Sequence, residues 1–448
     1  MTEHHPLTQP ATVRVDSPGL LSFSRQAIIA MVIAAVVGGL GAVGGASLYT
    51  NGMQRVMLAY LVAVAFVLSI SLGSLFFLLI QHLMRAKWAV LVRRPAEVFA
   101  MNTVTVALLA LPIAAFAFAG EHSIYPWARG GESAANAHWQ AAALGHDHGH
   151  EDPAEPHLYP HQTFDELTAR KTAWLNPTLF VIRLALYFAV WIGISAFYFY
   201  HSRRQDAAGG VADTLQMEKW SAPALIALGV TLTFAAFDLL MSLDPHWYST
   251  IYGVYFFAGC AVGGFAAVLL SWLVLSRLGL TPARLSDEHF RDLGRLLFAF
   301  VFFWAYIAFS QYMLLWYANV PETTRWLTVR GASLAEGYRN TWGWLLLLLL
   351  FGHFLIPFLG FMSRHVKGRR AAMIFWTIWL LALHYLDLLW LVMPEFRPHL
   401  TFGLPEVGTL ILVGGLYVMG ASFFATRTAL IPIGDPRLEA SLAMIDAY

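Results

Sequence analysis

Apolar runs of about 20 residues recur along the whole 448-residue chain and limit what it can fold into. The hydrocarbon core of a bilayer is about 30 Å thick, and a helix needs about 20 mostly apolar residues to cross it. Inside lipid, every backbone polar group must be satisfied within the protein, which leaves helices and closed barrels. The runs lack the every-second-residue alternation of barrel strands. We therefore predict an all-α polytopic membrane protein.

Composition agrees with that prediction and excludes several functions. Hydrophobic residues make up 58% of the chain and charged residues only 12%, roughly half the charged fraction of soluble domains. A net charge of +1 gives no support for nucleic-acid binding. The single cysteine, Cys260, excludes an internal disulfide, an iron–sulfur cluster and a thiolate metal site. No metal ligand set is predicted.

The apolar runs number ten, which predicts ten transmembrane helices. They lie near residues 27–48, 56–83, 95–119, 177–201, 221–243, 251–275, 295–318, 341–363, 371–393 and 403–426. The first run is longer than a signal-peptide core and lacks a small-residue cleavage site, so we interpret it as a retained helix.

The placement of positive charge predicts the orientation. With the N-terminus inside, 19 of the 28 Lys and Arg residues lie on the cytoplasmic side and eight on the other side. Cytoplasmic loops carry the excess of Lys and Arg. We therefore predict an N-in/C-in protein of a bacterial inner membrane, with cytoplasmic segments at 1–26 and 427–448 and a long periplasmic loop at 120–176.

A short repeat suggests internal order among the ten helices. Asp238 and Asp387 each begin the pattern Asp-Leu-Leu, four residues, Pro, near the ends of helices five and nine. The copies are four helices apart, an even number, so the repeated units would share one orientation. The repeat predicts two parallel four-helix bundles, helices two to five (56–243) and six to nine (251–393). Helices one (27–48) and ten (403–426) would flank them.

The long loop carries five histidines within 17 residues. They are His146, His148, His150, His157 and His161. Clustered histidines can bind zinc or copper, but a site needs a fixed geometry that a loop rich in Gly, Pro and Ala does not supply by itself. We favour a solvated loop that lies on a partner and leave its role open.

Few ionisable side chains fall within the apolar runs, and they gather in the predicted periplasmic half. An ionisable group at membrane depth is costly and needs a partner or a water-filled cavity. Arg183 and Asp238 lie at matching depth on helices four and five, which is compatible with a salt bridge that only holds helices together. His353, His384 and Asp387 lie deeper. His384 and Asp387 are three residues apart on one helix face, where the carboxylate could orient the imidazole.

Three interpretations of these buried groups remain open. The first is a proton path through His353, His384, Asp387, Asp238 and Arg183. The second is a quinone site at His384, Asp387 and Gln311, because a quinol needs a proton acceptor. The third is a purely structural role. Two histidines could also ligate a haem, which we consider less favoured. On the cytoplasmic side, His82 and Glu97 lie beside Arg93 and Arg94, a pattern typical of an interfacial anchor.

Several long segments resemble one family of respiratory membrane subunits. They are SQYMLLWYANVPE at 310–322, MSLDPHWYSTIYGVYFFAG at 241–259, HYLDLLWLVMPEF at 384–396 and QHLMRAKWAVLVRRPAE at 81–97. The sequence resembles the ActF subunits of bacterial alternative complex III, a quinol:cytochrome c oxidoreductase. That family is similar to the NrfD and polysulfide-reductase membrane subunits, which are built from paired four-helix bundles.

The resemblance implies a subunit that binds no redox cofactor itself and packs beside the sister subunit ActC in the lipid membrane. Haem c and iron–sulfur clusters would reside on partner subunits. The complex would oxidise menaquinol or another quinol and reduce cytochrome c or a high-potential iron–sulfur protein. The resemblance further implies a transmembrane proton path in this chain, with a quinone-binding subunit as the alternative. A scaffold and a secondary transporter are further alternatives. Against a transporter, no pair of Gly- or Pro-broken helices occupies matching midplane positions.

Overall fold

A computed structural model describes residues 18–48, 52–129, 166–281, 285–332, 341–397 and 399–443. The His-rich segment 146–161 lies outside these residues. Within them the secondary structure is entirely helical, and ten helices are long and apolar enough to cross a membrane. The predicted all-α polytopic architecture and the helix count are therefore confirmed.

The ten spanning helices are labelled α1 to α10 in chain order. Their bounds are Pro18–Ala46, Gly52–Leu83, Val90–Phe116, Pro177–Ala208, Ala212–Leu239, Tyr252–Arg277, Asp287–Ala318, Trp342–Met362, Arg370–Val392 and Leu404–Ala425. Several helices extend beyond the predicted apolar runs, because a helix can continue into polar residues outside the hydrocarbon layer. Helix α7, for example, begins at Asp287 instead of 295.

Helix α2 is the most buried of the ten and forms the centre of the molecule. It packs against α6 and also contacts α3, α5, α9 and α10. The closest approach to α6 occurs at Gly73 and Gly264, where a Cβ on either glycine would meet backbone atoms of the other helix at 3.0 Å or less. Glycine at such a crossing allows two helix backbones to touch.

Helices α1 and α10 pack along each other at one side of α2. Gly38 and Gly408 form their closest contact, since a Cβ at Gly38 would lie 2.7 Å from the Gly408 carbonyl oxygen. Helix α10 is fastened to α2 by a buried, bidentate ion pair. Arg55 donates from Nε to Oε1 of Glu406 at 2.6 Å and from Nη2 to Oε2 at 2.9 Å. Both side chains are about 1% exposed.

The helix ends predicted to be cytoplasmic contain a buried ionic network, which we call the Arg93 network. Arg93 pairs with Glu97 at 2.8 Å and with Asp435 at 2.6 Å. Arg94 pairs with Glu97 at 3.0 Å and with Asp206 at 2.5 Å. Arg93, Arg94 and Glu97 are no more than 2% exposed. These groups are therefore buried ion pairs within the protein, and the interfacial anchor stays a prediction.

The segment that follows α10 is a packed part of the fold. Asp435 joins the Arg93 network, and Arg437 bonds Glu218 on α5 at 3.1 Å. A Cβ at Gly434 would lie 1.9 Å from the Gln205 carbonyl oxygen, so this turn lies directly on the end of α4. A short helix, Leu438–Leu442, completes the contact, with the Ser441 hydroxyl donating to the Trp88 carbonyl at 3.0 Å.

Candidate functional site

Three of the predicted residues converge between α6, α7, α8 and α9. His353, His384 and Asp387 are at most 1% exposed, and we call them the His–Asp cluster. The two imidazole centroids are 6.4 Å apart with the rings nearly perpendicular. The structure therefore brings together the three titratable groups that the sequence placed near mid-membrane.

The imidazole of His384 is held in one orientation by α2 and α6. Its Nε2 lies 2.7 Å from Oγ of Ser69. The single hydroxyl proton of Ser69 goes to the Phe66 carbonyl at 2.6 Å, so Ser69 accepts from a protonated Nε2. Nδ1 of His384 is then an acceptor, and it has no hydrogen-bond partner. The ring lies on Gly259 and Gly263 of α6, where a Cβ would come within 2.7 Å and 2.9 Å of its carbon atoms.

His353 lies in a distorted part of α8. Residues Leu349–Leu355 form a π-helical turn, a local widening that recurs at functional sites. The imidazole stacks on the Trp304 indole with centroids 4.2 Å apart, and neither ring nitrogen has a hydrogen-bond partner. Buried polar atoms are normally bonded to protein or to ordered water. Among the described residues, the cluster thus presents three imidazole nitrogens without a hydrogen-bond partner.

Asp387 accepts hydrogen bonds from two neutral donors. The Tyr255 hydroxyl donates to Oδ1 at 2.5 Å and the Trp304 indole N–H to Oδ2 at 3.1 Å. The expected hydrogen bond between Asp387 and His384 is absent. The three-residue spacing does place both on one face of α9, but Ser69, Tyr255 and Trp304 reach them first. Neither ring nitrogen of His384 bonds the carboxylate: Nε2 faces Ser69, and Nδ1 has no hydrogen-bond partner among the described residues.

Arg183 and Asp238 form a separate site between α4 and α5. Arg183 donates from Nε and Nη2 to the two carboxylate oxygens of Asp238, each at 2.8 Å, and Tyr187 donates a third bond at 2.7 Å. The guanidinium also stacks on the Trp174 ring at 4.2 Å. These contacts match a salt bridge that holds two helices together.

Among the described residues, no hydrogen bond joins Gln311 to the His–Asp cluster. It lies seven residues beyond Trp304 on α7, roughly 10 Å along the helix. Its Oε1 accepts from the Ser249 hydroxyl at 3.4 Å. The described hydrogen bonds thus do not join Gln311 to His384 and Asp387, and the quinone site stays a prediction.

The sequence did not identify the neutral partners of the cluster. Tyr255, Trp304 and Ser69 were not among the predicted site residues. Tyr255 lies within a segment that carries the family resemblance, and that location was the available signal.

No family model matches this chain, and no curated protein is significantly similar to it. The geometry of the site must therefore carry the argument about function. Among the residues that the structure describes, no group of three or more His, Cys, Asp or Glu side chains is placed to hold a metal ion. What the cluster offers is a carboxyl group and two imidazoles in an apolar interior, an arrangement suited to moving protons.

Proposed function

We propose that this chain is an integral membrane subunit of a respiratory quinol-oxidising complex of the alternative complex III type, and that it carries a transmembrane proton path. The observation that carries the proposal is the His–Asp cluster, with three unpartnered imidazole nitrogens beside a carboxyl group that has only neutral donors. Intramembrane ionisable groups of this kind mark proton relays in pumps and transporters. In this proposal redox cofactors reside on partner subunits, ActC-like among them.

Helix contacts support the paired-bundle part of the proposal. Helices α2 to α5 touch in a closed ring, and α6 to α9 repeat the same ring. Helices α2 and α6, the first of each set, pack on each other, and α5 contacts α6 as α9 contacts α2. This is the contact pattern of two units related by a two-fold axis along the membrane normal. The distribution of Lys and Arg supports the N-in/C-in orientation.

Polar groups continue from the cluster toward the Arg93 network. Ser71 on α2 lies 3.0 Å from the Tyr417 hydroxyl, and Asn102 donates to the Tyr417 carbonyl at 2.9 Å. Oγ of Ser74 and Oγ1 of Thr103 are buried without a hydrogen-bond partner. Such atoms are typical positions for ordered water. In our proposal they connect Ser69 and His384 to Glu97, at the helix ends predicted to be cytoplasmic.

Substitution of Asp387 tests the path. Asp387→Asn keeps the size and the acceptor for Tyr255 but removes the exchangeable carboxyl proton. In vesicles that contain the assembled complex, we expect quinol oxidation to continue while the number of protons moved per electron falls. Asp387→Glu, which keeps a carboxyl group, should restore part of the number of protons moved per electron. Tyr252→Phe is the matched control, since Tyr252 lies one turn from Tyr255 on α6.

Two outcomes would count against the proton path. An unchanged proton-to-electron ratio in Asp387→Asn would contradict a proton path through Asp387. Loss of quinol oxidation with assembly intact would instead favour the quinone-binding alternative.

A further inference from the structure

A cavity outside the His–Asp cluster lies at the ends of α4 and α5. Its volume is about 320 Å³. Aromatic and apolar side chains form most of its wall, namely Trp174, Phe234, Phe237, Met241, Trp247 and Tyr248. It is therefore large enough for a headgroup, and its aromatic wall is typical of the membrane–water interface.

Among the described residues, one cation at this cavity, Lys171, has no carboxylate partner. Its ammonium group donates to the Pro245 carbonyl at 2.5 Å and, within the part of the chain that the structure describes, to no other group. The two carboxylates that line the cavity have cationic partners of their own. Asp238 is held by Arg183, and Asp244 lies 3.9 Å from Arg325. An ammonium group has three donors, so Lys171 retains donors for an anion. The cavity thus favours a negatively charged group.

The cavity continues into a row of exposed apolar side chains on α5. Ile226, Val230 and Phe234 are 70%, 53% and 40% exposed, and they follow one another at intervals of four residues. Residues with that spacing form one face of a helix. Phe234 belongs both to this face and to the cavity wall. A molecule in the cavity can therefore extend a hydrocarbon chain along α5.

We propose that this cavity binds the headgroup of an anionic phospholipid, with an acyl chain on the Ile226–Val230–Phe234 face. The charge of Lys171 recognises the phosphate, Trp174 and Tyr248 flank the glycerol region, and α5 supports the chain. A quinol fits less well, because its ring is neutral and because both oxygens of Asp238 are already engaged by Arg183 and Tyr187.

A photo-crosslinker at Phe234 tests the proposal at the site itself. The full chain, with p-benzoylphenylalanine at position 234, is placed in vesicles of equal phosphatidylglycerol and phosphatidylcholine, and lipid adducts are identified by mass. One basic side chain contributes roughly fivefold to the binding of an anionic lipid. We expect phosphatidylglycerol adducts to exceed phosphatidylcholine adducts by roughly fivefold, and Lys171→Gln to bring the ratio near one.

Lys219→Gln is the matched control, since it removes the same charge at the opposite end of α5 and should leave the ratio unchanged. Ala173→Trp narrows the cavity without changing its charge and should reduce both adducts, which keeps the test decisive if Lys171→Gln fails to fold. A ratio near one in the parent chain, or an unchanged ratio in Lys171→Gln, would overturn the proposal. Displacement of phosphatidylglycerol by a menaquinone analogue would show a quinone site instead.

Discussion

Asp238 and Asp387 occupy equivalent positions in the repeated motif but have different partners. Asp238 is neutralised by a bidentate arginine, whereas Asp387 is bonded by a tyrosine hydroxyl and an indole. A bidentate pair of a guanidinium and a carboxylate fixes the geometry of both groups. Among the described residues, no cation is paired with Asp387. In the proposed function, the aspartate of the first half therefore has a structural role and that of the second half belongs to the proton path.

Removing one partner of the Arg183–Asp238 pair should destabilise the protein more than removing both. Arg183→Met leaves a buried carboxylate with only Tyr187, and breaking a buried pair in this way costs about 3–5 kcal/mol. The double variant Arg183→Met/Asp238→Leu removes the stranded charge and should recover most of that loss. Denaturant unfolding in detergent micelles measures the free energy of unfolding of the single and the double variant. Equal losses in the two variants would contradict this account, as would reduced proton movement in a folded double variant.

Gly259 is predicted to fix the position of His384. A Cβ there would lie 2.7 Å from Cε1 of the imidazole, so Gly259→Ala should push the ring away from Ser69. Overpacking of this kind costs about 1–3 kcal/mol. We expect lower stability in denaturant unfolding and a lower proton-to-electron ratio. Gly229→Ala on α5 is the control, because its Cβ would meet nothing within 4 Å. Identical behaviour of the two variants would show that the glycine has no positioning role.

The π-helical turn of α8 has an identifiable cause. Pro357 lacks an N–H and so cannot donate to the carbonyl of His353, four residues earlier. The neighbouring Gly352 carbonyl accepts instead from the Trp379 indole at 2.7 Å. Proline and an indole donor from α9 therefore make the widened turn stable. The turn sets the direction in which His353 points.

Restoring the missing donor should convert this turn toward regular helix. Pro357→Ala supplies an N–H for the His353 carbonyl, and the tighter turn should rotate His353 off the Trp304 ring. We expect slower hydrogen exchange across 349–355 and lower proton movement. Pro112→Ala in α3 is the control for the general effect of removing a proline from a spanning helix. Unchanged exchange in Pro357→Ala would mean that α9 alone maintains the turn.

The helices of this fold could be predicted from the sequence, but the side-chain contacts between them could not. Ten helices followed from the length of the apolar runs, since a membrane sets one length for all of them. Ser69 and His384 are 315 residues apart, and Arg93 and Asp435 are 342 apart. No local pattern relates residues at such distances. Arg55 and Glu406 were missed for a further reason: both lie at helix starts, where charge is usually assigned to solvent.

At the scale of the whole molecule, the Arg93 network joins elements that are remote in the chain. Helices α3, α4 and α5 meet there with the segment after α10. This segment lies over the helix ends at which the proposed proton path would reach the cytoplasm. The attachment of this segment should therefore affect both the stability of the protein and the access of protons to the proposed path.

The attachment of the C-terminal segment is predicted to depend on pH through Asp435. Burial alone would raise the pKa of Asp435, but the charges of Arg93 and Arg437 outweigh it and hold the pKa below its ordinary value. A carboxyl group with a lowered native pKa stabilises the fold above its unfolded pKa, about 4. That stabilisation is lost as the pH falls through the native pKa. Residues 430–441 should therefore stay protected from hydrogen exchange at pH 5–7 and lose protection below about pH 4.

Substitution at Asp435 separates this cause from general acid unfolding. Asp435→Asn leaves Glu97 as the carboxylate partner of Arg93 among the described residues, so protection of 430–441 should already be low at pH 7 and change little on acidification. Glu439→Gln is the control, because Glu439 is exposed in the same segment and its loss should leave the native pH profile intact. If Asp435→Asn kept the native protection at pH 7, the segment would be held by its apolar contacts. The ionic network would then serve the helix ends alone.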